Sequence, residues 1–174
     1  MAGHSNGCIT SLSMAAIHSD MVAAVCCHAG ISLSDFAADY SAVPIWMAYG
    51  EKDIELPAVG IEISPSLLQP GTQDVFSLFA DKNGCEATEI VSVVSSLDGN
   101  DVVGSVKTRS NCDNGADVTI VSLTDSGHFP YMNAEETDAG ASMTTVDTSK
   151  MAWEFCSRFS LSEAPDLGMA PTPT

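Results

Sequence analysis

The sequence predicts an α/β fold of the doubly wound kind, and three observations lead there. A continuous apolar run at residues 21–27, a largely apolar one at 43–49 and a β-rich segment at 117–123 have the length and composition of strands buried on both faces, as a parallel sheet requires. Segments with helical apolar spacing at 7–19, 72–82 and 148–159 alternate with those runs, which is the order of strand–helix units. Hydrophobic residues make up 45% of 174 residues, enough for one core.

Each element has a local reason. Gly7 to about Ser19 carries Ile9, Leu12, Ala16 and Ile17 on one face. Asp20 ends it, and Met21-Val22-Ala23-Ala24-Val25-Cys26-Cys27 follows as a strand running to His28-Ala29-Gly30. Leu33 to Tyr40 is expected to form a short helix opened by Ser32 or Ser34. Val43 to Tyr49 is the second buried strand, with Pro44 tolerated at its entrance and Gly50 as its stop. Ile54 to Pro70 holds three prolines and is expected to be an irregular loop. Thr72 or Gln73 to Lys82 directs Val75, Phe76, Phe79 and Ala80 inward and stops at Asn83-Gly84. Ile90–Val94 and Val102–Thr108 form a hairpin around Asp98-Gly99-Asn100. Asp117 to Leu123 is the third buried strand. Thr148 to Phe159 is a final helix with Met151, Phe155 and Phe159 in one stripe. Ser162 to Thr174 has three prolines and no periodicity, and is expected to be a flexible tail beyond a domain spanning 1–161.

Composition excludes several classes of function. Six Lys and Arg against 23 Asp and Glu leave a formal charge of −17. That field repels phosphate backbones and anionic lipid, so neither nucleic acid nor a membrane surface is an expected partner. No run of 18 apolar residues is present to cross a bilayer. The cysteines at 8, 26, 27, 85, 112 and 156 include no C-x-x-C, and the histidines at 4, 18, 28 and 128 show no ligand spacing. Neither a metal site nor a cofactor motif is therefore expected. Cys85 and Cys112 bracket a turn-rich segment; a bridge stapling a hairpin and two free thiols both fit that spacing. Asn-x-Ser/Thr glycosylation sequons are lacking, and the first residues resemble neither a signal nor a transit peptide.

One constellation carries chemistry. Gly3-His4-Ser5-Asn6-Gly7 matches G-x-S-x-G and opens onto a helix, as a nucleophile elbow must, because the sharp turn lifts the serine oxygen clear of the sheet. An activated serine needs a base, and the base needs an orienting carboxylate. Asp53 lies just past the strand 43–49, and His128, in Gly127-His128-Phe129-Pro130, lies just past the strand 117–123. The chain order is Ser, Asp, His. Glu51 competes with Asp53 for the acid role. His4 adjoins the nucleophile as a pocket-lining residue; His18 is expected at a helix end and His28 at a strand end. Trp46, Met47 and Met132 fit core or pocket-wall packing. The backbone N–H of Asn6, following the nucleophile, is the expected first oxyanion donor.

These residues together resemble the polyhydroxybutyrate depolymerase and feruloyl esterase group of α/β-hydrolases. The likeness rests on the elbow and helix, the 21–25 strand ending in Ala29-Gly30, Val43-Pro44-Ile45 with Gly50-Glu51-Lys52-Asp53, the cysteines of Asn83-Gly84-Cys85 and Asn111-Cys112, and Gly127-His128 with Pro130. It covers most of residues 1–159. It implies a serine carboxylic-ester hydrolase with Ser5 as nucleophile, Asp53 as acid and His128 as base. It further implies a Cys85–Cys112 disulfide, secretion to the cell exterior, and a polysaccharide-linked aromatic ester or a polyester as substrate. Cys8 departs from the glycine common after the elbow in that group. Measured against those hydrolases, the chain is expected to be the C-terminal part of the fold, a partial mostly parallel sheet beginning at the elbow. Its first strand would then be an exposed edge open to pairing, and the second oxyanion donor would be missing. The alternatives are a weak or inactive remnant of such a hydrolase, and an acidic binding module with a coincidental motif, in which Ser5 and His128 would lie far apart.

Overall fold

The computed structural model describes residues 1–32, 34–56, 61–64, 67–69, 71–129 and 146–161. Six strands form one sheet. In chain order they are β1 (Ala2–His4), β2 (Val25–His28), β3 (Ile45–Gly50), then β6 (Glu89–Ser95), β7 (Val102–Arg109) and β8 (Val118–Leu123). Between β3 and β6 run a separate antiparallel pair, β4 (Ile61–Ser64) and β5 (Leu67–Gln69), and helix α2 (Thr72–Lys82). Helix α1 (Asn6–Ile17) joins β1 to β2, and α3 (Thr148–Cys156) follows β8. The order across the sheet is β1-β2-β3-β8-β7-β6. The first four strands are parallel and the last two antiparallel, so the sheet is mostly parallel with three helices packed on it.

Strand alternation divides the core into two layers. Val25, Cys27, Ile45, Met47, Tyr49, Val118 and Ile120 face α1 and α2, meeting Leu12, Ala15, Val75, Phe76 and Phe79. The intervening Cys26, Trp46, Ala48, Val121 and Leu123 face α3, meeting Ala152 and Phe155. Every residue of β2, β3 and β8 is buried, which explains why these strands are dominated by apolar side chains.

All six cysteines are paired: Cys8–Cys27, Cys26–Cys156 and Cys85–Cys112. The last is the bridge the resemblance implied. The other two follow from pleating: adjacent Cys26 and Cys27 point to opposite faces of β2, so one bridges to α3 and the other to α1. Cys8 is thus a staple between α1 and β2.

Several elements differ from expectation. The helix expected over 33–40 is not seen among the described residues 34–40, which are irregular with a turn at Ala38-Asp39. Ser32, Ser34 and Ser13 instead hydrogen-bond to one another through their hydroxyls (2.7–3.1 Å), a local alternative to helical backbone bonding. Phe36 and Tyr40 then pack inward, and the Tyr40 hydroxyl donates to Asn83 Oδ1 at 2.6 Å. The strand expected over 21–27 is confined to Val25–His28, because Ser19–Met21 turns as a 3-10 segment. Within 54–70, expected to be irregular throughout, stand β4 and β5. The last helix stops at Cys156, and its apolar stripe continues past it through Phe159, packed against Phe155. The expected tail 162–174, and Pro130 and Met132 of the histidine loop, lie outside the described residues.

Candidate active site

Parallel strands place all their C-terminal ends at one edge, and loops leaving those ends converge there. β1 delivers Ser5 directly. Its backbone sits at φ 51°, ψ −118°, a left-handed turn that non-glycine residues rarely adopt. The strand-to-helix reversal is tight: a Cβ on Gly3 would stand 2.3 Å from the carbonyl carbon of Gly7. Gly7 itself has open space where a Cβ would be, so only the first glycine of the motif is sterically required. Ser5 N–H donates to the carbonyl of His28 at 3.0 Å, tying the elbow to the end of β2.

Asp53 follows β3. Its side chain is fully buried, and its Oδ1 accepts from the backbone N–H groups of Glu55 (2.8 Å) and Leu56 (3.1 Å). That Asx-type turn fixes the carboxylate and leaves Oδ2 to accept from His128 Nδ1 at 2.8 Å. Glu51, the competing carboxylate, is exposed.

His128 follows β8. The loop before it is moulded onto the end of β3, where Glu51 N–H donates to Leu123 and Lys52 N–H to Ser126, both at 2.9 Å. Gly50 permits this approach, since a Cβ there would lie 2.0 Å from the Ser126 carbonyl oxygen. With Nδ1–H committed to Asp53, His128 Nε2 is the acceptor nitrogen, and it stands 3.0 Å from Ser5 Oγ. Three residues remote in sequence therefore form one continuous line, Asp53–His128–Ser5. A wide separation of Ser5 and His128 would favour the coincidental-motif alternative, and the two are instead within hydrogen-bond distance.

Asn6 opens α1. As the first helical residue, its N–H has no acceptor within the helix and lies beside Ser5. His18 caps the far end of the same helix, as expected. Trp46 and Met47 are buried in β3.

Two contacts of the site are not specified by any motif in the sequence. His4 Nε2–H donates to the main-chain carbonyl of His128 (2.7 Å), and its ring stacks on Phe129 with centroids 4.7 Å apart. It thereby fastens the loop bearing His128 to the strand that delivers Ser5. Glu55 directs Oε2 to within 3.5 Å of His128 Nε2 from a side chain 56% exposed. The one signal available was proximity: Glu55 lies in the turn that holds Asp53.

A cavity of about 700 Å³ opens along β1, lined by Gly3, His4, Ala24, His28, Trp153 and Phe159 among others, and not by Ser5, Asp53 or His128. His28 is buried there and hydrogen-bonded through Nε2 to Thr148 Oγ1 at 3.2 Å. Burial, reinforced by the nearby His4 imidazole, pushes its pKa down to about 4, against a smaller upward effect of a hydrogen bond with the Thr148 main chain. It stays neutral at pH 7. Comparison of the chain with protein-family models finds no match, and comparison with curated proteins finds none either.

Proposed function

We propose that the protein is a serine carboxylic-ester hydrolase of the α/β-hydrolase kind, resembling polyhydroxybutyrate depolymerases and feruloyl esterases. One observation carries the reading: a buried carboxylate, an oriented imidazole and a serine on a strained turn stand in hydrogen-bonded line, at 2.8 and 3.0 Å.

The reaction is acyl transfer. His128 Nε2 takes the proton from Ser5 Oγ as the oxygen adds to the ester carbonyl. Asp53 keeps the proton on Nδ1 and stabilises the imidazolium that forms. The N–H of Asn6 donates to the developing oxyanion. His128 then returns its proton to the leaving alkoxide, and the alcohol departs to leave an acyl-Ser5. Water, deprotonated by His128, cleaves that ester and releases the carboxylic acid. Three disulfides support an oxidising, extracellular setting.

The test is covalent labelling and turnover. A fluorophosphonate is expected to modify Ser5, and Ser5→Ala is expected to lower hydrolysis of p-nitrophenyl acetate by about 10³-fold or more. Equal turnover by the wild type and Ser5→Ala would overturn the reading.

A further inference from the structure

The carboxylate of Glu55 has no part in the proton path just described, yet it stands against the nitrogen through which that path runs. Oε2 lies 3.5 Å from His128 Nε2, which lies 3.0 Å from Ser5 Oγ. Those two distances, laid end to end, put the carboxylate within about 6.5 Å of the nucleophile, close enough for its charge to act on a bound ester. Among the described residues, the other charges nearby do not cancel it. Asp53 is itself anionic and buried on the far side of the imidazole. Lys52, the nearest cation in sequence, is paired with Asp125 at 2.8 Å. His4, the other imidazole in contact, gives its Nε2–H to the His128 carbonyl.

We propose that Glu55 is a specificity-determining residue that selects uncharged or cationic esters and rejects esters with a carboxylate near the scissile bond. The inference rests on the esterase reading and narrows its substrate class. Neutral Nε2 presents a lone pair to Ser5, so in the resting site the Glu55 charge has no proton on that nitrogen to satisfy it. A substrate anion entering the space in front of Ser5 meets that charge at a separation of several ångströms. A substrate cation meets an attraction of the same size. At such distances, in an environment between protein surface and bulk water, the interaction corresponds to about a three- to tenfold change in rate.

The experiment compares kcat/KM for three p-nitrophenyl esters of similar length: the butyrate, the hemisuccinate and the 4-trimethylammonio-butyrate. Each is measured with wild type and Glu55→Gln, in 0.05 M and 0.5 M NaCl. Glu55→Gln keeps the side chain's size and leaves the backbone N–H that holds Asp53. It is expected to raise the hemisuccinate-to-butyrate ratio about three- to tenfold and to lower the cation-to-butyrate ratio. Both changes should shrink at high salt, because an exposed charge is screened. Turnover with ratios unmoved by the substitution would overturn the proposal and leave the esterase reading standing. Butyrate hydrolysis no faster than with Ser5→Ala would overturn both. A structural role for Glu55 would move all three substrates together and leave the ratios and their salt dependence alone.

Discussion

On one side of β8 the sheet is parallel, covered by helices on both faces, and every residue of β2, β3 and β8 is buried. On the other side β7 and β6 form an antiparallel hairpin, in which Ile90, Val91 and Val93 of β6 are all largely exposed. The two regions differ also in what leaves their strand ends. β1, β3 and β8 release the loops bearing Ser5, Asp53 and His128, whereas β6 and β7 end in an ordinary Asp98-Gly99 turn. The candidate catalytic residues therefore gather where parallel strands align their C-terminal ends, and the hairpin extends the sheet away from them.

The disulfides offer the largest way to break that contrast. Cys26–Cys156 joins β2 to α3 across 130 residues, while Cys85–Cys112 closes a loop of 27 at the root of the hairpin. In the chain-entropy account, longer loops constrain the unfolded chain more. Replacing both Cys26 and Cys156 with Ala is expected to cost about 5 kcal/mol, and replacing Cys85 and Cys112 about 3.5 kcal/mol. Urea unfolding of the two variants measures the gap. Equal losses would show that the bridges act through native-state packing in place of loop closure.

Much of this division was legible beforehand, and the reasons are physical. Strands buried on both faces announce themselves as apolar runs, and the elbow, Asp53 and His128 each follow such a run or open a helix. The 33–40 segment misled because its serines serve equally as helix caps and as partners for one another. Adjacent Cys26 and Cys27 held a usable signal, since neighbours in a strand must face opposite layers. The contacts of Glu55 and His4 with His128 depend on how the loops after β3 and β8 lie together, which periodicity does not encode.

His28 sharpens the comparison through pH. It belongs to the parallel half, buried at the end of β2, with its pKa held near 4 against 6.5 for an exposed histidine. Above pH 6.5 the group is neutral folded or unfolded and has no effect. As pH falls from 6.5 towards 4, the unfolded chain takes up a proton that the folded one resists, so stability is lost across that window. The loss amounts to about 3 kcal/mol once pH reaches 4. His28→Gln should flatten this part of the profile in urea midpoints taken at successive pH values. An unchanged slope would assign the acid sensitivity to the carboxylates.

The smallest effect is also the most direct comparison, because one substitution serves both regions. Val121 in β8 is fully buried against the α3 layer, whereas Val93 in β6 is 66% exposed. Valine to threonine preserves shape and β-branching, so strand preference is nearly unchanged and only the hydroxyl is new. At Val93 that hydroxyl remains hydrated, and the expected change in unfolding free energy is within about 0.5 kcal/mol. At Val121 it must leave water for an apolar layer, costing about 1–3 kcal/mol. Similar losses at both positions would mean that the exposed face of β6 is covered in solution. A large difference would mean that the hairpin, although part of the same sheet, contributes its pairing more than its burial.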